Sequence, residues 1–261
     1  MVLLHGFPQF ADSWDELLPL LTGHGYRTIA PDQRGYSPHA RPSGRGAYRI
    51  DELVADAVAV IDQCAGGGPV HLVGHDWGAA IAWALAGAHP AKVAGLTALS
   101  VPHPAAFLSS FLTSSQALHS WYMLFFQLPW LPERIGRSRL GARWLISSGQ
   151  TPGRVERDLT RLAAPGALTG PLNYYRAMPL LRPTTARRPV RVPTLFIWSD
   201  GDIAITRRAA TRCARWVRDA PYQFEVLDGV SHWIPEQAPQ RLAELMLPHL
   251  RRCAQRPWER P

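Results

Sequence analysis

The chain has 261 residues, 46% hydrophobic and 18% charged, which suits one globular domain with room for an inserted excursion but not for a second independent core. Its net charge of +8 comes almost wholly from arginine, Lys92 being the only lysine. These cations are scattered rather than gathered on a recognisable motif, which argues against a nucleic acid partner, and no apolar run reaches the roughly 18 residues needed to span a bilayer.

Along the chain, short apolar runs of strand length alternate with longer stretches of helical spacing. Strands are predicted at 1–4, 28–31, 70–74, 93–100, 194–198 and 223–227, and helices at 14–21, 50–63, 78–88, 206–217 and 239–251. This alternation predicts an α/β fold, a mostly parallel sheet flanked by helices. Residues 102–193 break the rhythm, being rich in proline, glycine and aromatic residues with no convincing strand, and read as an inserted helical lid. The chain is therefore divided into a core at 1–101 and 194–252, a lid at 102–193 and a polar tail at 253–261. Inside the lid, residues 121–131 are apolar but short and contain Pro129, so they read as a buried lid segment rather than a membrane anchor.

Cys64, Cys213 and Cys253 are few and far apart, giving neither a disulfide framework nor a zinc pattern. The first residues, Met1 to His5, carry no basic leader region. Reduced thiols in a cytoplasmic protein are the expectation.

The chemistry concentrates at Gly74-His75-Asp76-Trp77-Gly78, between a predicted strand and an alanine-rich helix. Small residues flanking a central nucleophile permit the strained strand-to-helix turn that presents its side chain at the sheet edge. Here the central residue is Asp76. A carboxylate suits displacement at a saturated electrophilic carbon, forming an ester of the enzyme itself. Releasing that ester needs water activated by a base and donors for an oxyanion. His232 follows the last predicted strand, and Asp202 follows the one before it, in the chain order nucleophile, acid, histidine. Asp200 competes with Asp202 for the acid position. After the first strand comes His5-Gly6-Phe7-Pro8, whose Phe7 N–H, with that of Trp77, would supply two backbone donors.

These motifs resemble the epoxide hydrolase branch of the α/β-hydrolase superfamily. The resemblance extends over Asp32-Gln33-Arg34-Gly35-Tyr36-Ser37 and Val101-Pro102-His103-Pro104 and runs to about Leu250. It implies two lid tyrosines that bind and protonate the epoxide oxygen. Tyr122, in Ser120 to Gln127, and Tyr175, directly before Arg176, stand at the matching places, with Tyr174 as the competing neighbour. The implied substrate is a small apolar or aromatic epoxide, the product a vicinal diol, and no metal or organic cofactor is called for. Relative to that family, the two strands that usually precede the His-Gly strand have no counterpart in these residues: either the start is assigned too late or an edge of the sheet is lost, and loss would expose unpaired strand edges. Two alternatives remain: a haloalkane dehalogenase on the same fold, opposed by the tyrosine pair and by Phe7 where a side-chain donor is often needed, and a non-catalytic small-molecule binder, opposed by the full set of Asp76, Asp202 and His232.

Overall fold

The structure is a computed structural model describing residues 1–66 and 68–254. Five strands, β1 (Val2–Leu4), β2 (Val70–His75), β3 (Val93–Leu99), β4 (Thr194–Gly201) and β5 (Tyr222–Ser231), form one sheet in that order. Every pairing is parallel. The strands alternate in the faces they serve, as a pleated chain with a period of two must. Val2, Leu4, Leu72, Leu96, Ala98, Phe196 and Trp198 join one buried cluster. Leu3, Val73, Leu99, Leu195 and Ile197 join another. With both faces covered, nearly continuous apolar strands are the stable solution.

On the first face pack α2 (Ile50–Cys64) and α3 (Trp77–Ala88), through residues such as Leu53, Ile61, Ile81 and Leu85. On the second face lie α1 (Leu18–Thr22) and α14 (Pro239–Ala254), through Leu21, Leu242, Met246 and Leu250. The helix predicted at 14–21 is divided into a 3-10 turn, Ala11–Trp14, and α1, which starts afresh with Pro19 in its first turn, where proline is tolerated. The helix predicted at 206–217 is likewise broken, into α12 (Arg207–Thr211) and a 3-10 turn at Cys213–Trp216. The strand predicted at 28–31 is reduced to a single bridge between Ile29 and Val2. Because Val2 also pairs with Leu72, this segment lies on the outer side of β1, and the winding direction reverses at β1. Such reversal points leave a crevice at the carboxyl ends of a parallel sheet.

Between β3 and β4 the chain is helical, with no strand among the described residues. It comprises α4 (Pro104–Ser110), α5 (Gln116–His119), α6 (Trp121–Phe125), α7 (Leu131–Gly136), α8 (Arg139–Ser147), α9 (Pro152–Leu162), α10 (Thr169–Ala177) and α11 (Pro183–Ala186). The segment at 121–131 is not buried as expected. Only Tyr122, Phe126 and neighbouring side chains point inward, while Leu124 is 78% and Trp130 65% exposed, because a short helix can turn only one face to the core. After α13 (Ile234–Gln237), α14 continues through Ala254, so the predicted tail begins as helix, and residues 255–261 lie outside the described residues. No helix among the described residues is long and apolar enough to cross a membrane.

Candidate active site

Asp76 stands between β2 and α3 with φ 51° and ψ −118°, a left-handed conformation costly for a side chain other than glycine. The neighbouring glycines make the turn possible. A Cβ on Gly74 would come within 2.2 Å of the Gly78 carbonyl oxygen, and one on Gly78 within 2.0 Å of the Leu4 carbonyl oxygen. Both lie far inside any real contact, so β1, β2 and α3 close on the turn only because these side chains are absent. The result is a carboxylate aimed into the crevice at the sheet's carboxyl edge.

Asp76 Oδ1 accepts a hydrogen bond from the Phe7 N–H at 2.7 Å. The Trp77 N–H, at the first position of α3, is one of the donors that a helix leaves without a partner of its own. On the other oxygen's side, His232 Nε2 lies 3.6 Å from Asp76 Oδ2. The opposite ring nitrogen, Nδ1, is 2.7 Å from Asp202 Oδ2. Asp202 Oδ1 is fixed in turn by the N–H groups of Ala204 and Ile205, at 2.8 and 2.9 Å. Asp200 faces outward and accepts from the Gly229 N–H, so Asp202 and not Asp200 meets the imidazole. Sequence reasoning had not seen what holds the His232 backbone: its carbonyl accepts from His75 Nε2 at 2.9 Å and from Ser100 Oγ at 2.8 Å.

Burial opposes charge at both His232 and Asp76, but the ion pairs prevail. Desolvation alone would lower the His232 pKa, yet the charge and hydrogen bond of Asp202, then those of Asp76, push it up to about 10. For Asp76, desolvation raises the pKa and the His232 contacts more than reverse it, leaving the carboxyl below its ordinary value. His75, buried and beside His232, is driven down to about 4 and is a neutral donor.

A cavity of about 360 Å³ opens above Asp76, lined by Phe7, Tyr122, Trp144, Tyr175, His232 and Trp233 among others. A second, of about 100 Å³, shares Asp76, Tyr122, Tyr175 and His232 and extends toward Phe107, Met178 and Leu181. Tyr122 comes from α6 and Tyr175 from α10, their rings edge to face with centroids 6.0 Å apart. Gln127 Nε2 donates to the Tyr175 carbonyl at 2.8 Å, tying the two segments together. Tyr174 is engaged elsewhere, its hydroxyl donating to the Arg34 carbonyl at 2.7 Å. Burial, and after it the charge of Asp76, raises the pKa of both Tyr122 and Tyr175, so each hydroxyl keeps its proton at any working pH. Among the tryptophans, Trp14 is core and Trp121 lines the larger cavity, whereas Trp130 stands out on the surface.

A family model described as the alpha/beta hydrolase fold matches residues 1–139. Epoxide hydrolase 4 of Homo sapiens is 33% identical over 94% of the chain and 70% of its own length, and epoxide hydrolase A of Mycobacterium tuberculosis is 32% identical over 96% and 89%. The chain belongs to the epoxide hydrolase branch of the α/β-hydrolase superfamily. Another member of the superfamily, protein YfhM of Bacillus subtilis, is 35% identical over 96% of the chain and 90% of its own length. Among solved structures, an inhibitor complex of the Bacillus megaterium epoxide hydrolase superposes with a TM-score of 0.83 at 29% identity, covering 96% of this chain and 93% of that one.

Proposed function

We propose that this protein hydrolyses epoxides to vicinal diols through an ester of Asp76. The observation that carries the reading is the convergence on one apolar cavity of a strained, ionised carboxylate, a histidine backed by a second carboxylate, and two protonated tyrosines. The helices of residues 102–193 act as the lid of this cavity and bring the tyrosines to it.

Oδ1 of Asp76 already accepts the Phe7 N–H, which leaves Oδ2 as the attacking atom. Oδ2 bonds to an epoxide carbon from the back as the carbon–oxygen bond breaks, and Tyr122 and Tyr175 donate to the departing oxygen, one of them giving it a proton. The product of this step is a hydroxyalkyl ester. Esterification removes the negative charge of Asp76, and with it part of what keeps His232 protonated. The imidazolium returns a proton to the tyrosinate and becomes a neutral base. It then takes a proton from water, which attacks the Asp76 carbonyl carbon, and the oxyanion on Oδ1 is held by the N–H groups of Phe7 and Trp77. Collapse releases the diol and restores the carboxylate, one water being consumed per epoxide. The substrate is a small apolar or aromatic epoxide, as the aromatic walls suit.

The test is diol formation from aryl and alkyl epoxides beside an Asp76→Asn variant, with intact-mass analysis after rapid acid quench. The expected result is diol from the native protein, a transient adduct equal in mass to the epoxide, and neither from the variant. Diol production surviving the substitution would remove the covalent route, and halide release from haloalkanes without diol from epoxides would favour a dehalogenase.

A further inference from the structure

At the other end of β2 the fold brings one metal-ligating side chain against two others that are distant from it in sequence. His71 is the second residue of β2, about 16 Å along the strand from Asp76 at roughly 3.3 Å per residue. His249 and Cys253 are four residues apart on α14 and so share one of its faces. Among the described residues this is the one group of three such side chains whose ligand atoms all lie within 4.8 Å of one another. All three residues are more than nine-tenths buried.

His249 Nε2 and Cys253 Sγ hydrogen-bond to each other, and His71 offers a nitrogen without a partner. His71 Nε2 is engaged with Thr97 Oγ1 at 3.0 Å, while its Nδ1 is buried without a partner, an expensive condition for a polar atom. His249 Nε2 and Cys253 Sγ are 3.7 Å apart. With metal bonds of about 2.0 Å to nitrogen and 2.3 Å to sulfur, the nitrogen–sulfur edge spans about 3.5 Å in a tetrahedral shell and about 3.7 Å in a trigonal one, and the observed 3.7 Å equals the trigonal edge. Gly95 on β3 makes the approach possible, since a Cβ there would stand 2.5 Å from Cys253 Sγ and 2.9 Å from the His71 ring. A pocket of about 320 Å³ has His71 and Cys253 in its wall, which provides an entry path and room for a water ligand.

We propose that His71, His249 and Cys253 form a binding site for a d10 cation, Zn²⁺ with a water as fourth ligand or Cu⁺ in a three-coordinate shell. Two imidazoles and a thiolate are the soft-to-borderline donor set these ions prefer. Binding displaces the Cys253 thiol proton to solvent, so affinity rises with pH. The ion would join α14 to β2, stabilising the native state without touching the cavity at the opposite strand ends.

The experiment uses the full chain carrying Cys64→Ser, which removes the exposed thiol beside the pocket. Chelator-stripped protein is titrated with Zn²⁺ against a chromophoric competitor, with Co²⁺ as a spectroscopic stand-in, and with Cu⁺ under anaerobic conditions. One equivalent of Zn²⁺ or of Cu⁺ should bind, and Co²⁺ should give a thiolate charge-transfer band. Free metal at a hundred times Kd should shift the folding equilibrium about 100-fold, raising the midpoint by about 5–10 °C. Cys253→Ser and His71→Gln should each abolish the stoichiometric binding and the thermal shift while diol formation continues, two variants serving in case one fails to fold. Absence of stoichiometric binding to the folded protein, or binding that survives both substitutions, overturns the proposal.

Discussion

Removing the hydroxyl of Tyr122 or Tyr175 is the sharpest test of the part proposed for these two residues in ring opening. Each Tyr→Phe change deletes one oxygen and keeps the ring, and the rings are what pack: Tyr122 against Phe126, Trp144 and Tyr175, and Tyr175 against Phe7, Trp77 and Phe126. Stability should therefore change by less than about 1 kcal/mol. A hydrogen bond to a charged oxygen contributes about 1.5–3 kcal/mol, so each hydroxyl should be worth about 10- to 150-fold in the rate of ester formation. The pair acts on one oxygen, so the double variant should lose more than either single one, about 10²- to 10⁴-fold in all. Single-turnover quench measurements of epoxide consumption, with enzyme in excess, isolate this step from ester hydrolysis. A single variant within twofold of the native rate, or a double variant keeping more than a tenth of it, would refute the assignment of the two tyrosines.

Asp202→Asn takes away the largest influence raising the His232 pKa, which should fall from about 10 toward the ordinary 6.5 and leave the ring without its charged anchor. Ester hydrolysis should slow by on the order of 10²- to 10⁴-fold while ester formation persists, so the adduct should accumulate by intact mass. Asp200→Asn, at the exposed strand end, should change neither step. Asp158 on α9 is buried and neither of its oxygens has a hydrogen-bond partner, and desolvation, only partly offset by Arg157, raises its pKa from 3.8 to about 7. A carboxyl raised on folding destabilises progressively as pH climbs from 3.8 through about 7. At about 1.36 kcal/mol per pH unit the ceiling is about 4 kcal/mol. Denaturant titrations of Asp158→Asn should show a gain of stability above pH 7 that disappears below pH 4; a gain independent of pH would disprove the charge argument.

The parts of this protein legible in sequence are those specified by local chemistry. The elbow is readable because only Gly74 and Gly78 allow the turn that Asp76 occupies, and the alternating apolar runs announce a parallel sheet because its two covered faces demand them. Contacts across the sheet decided the rest. Asp200 and Asp202 look equivalent in sequence. The register shift between Ser199 and Gly201 leaves the first outside against Gly229 and brings the second under His232. Residues 28–31 have strand composition but find only one bridge, and residues 121–131 are apolar yet half outside, because burial depends on what neighbouring elements cover. His249 and Cys253 share a helix face by their spacing of four, but nothing in the sequence brings His71 to them. Sequence by itself determined the α/β class, the nucleophile turn and the order of the chemical groups, since these rest on short-range sterics and side-chain type; only tertiary packing decided which acid, which tyrosine and which buried imidazoles face one another, since those distances are fixed by strand register and helix docking.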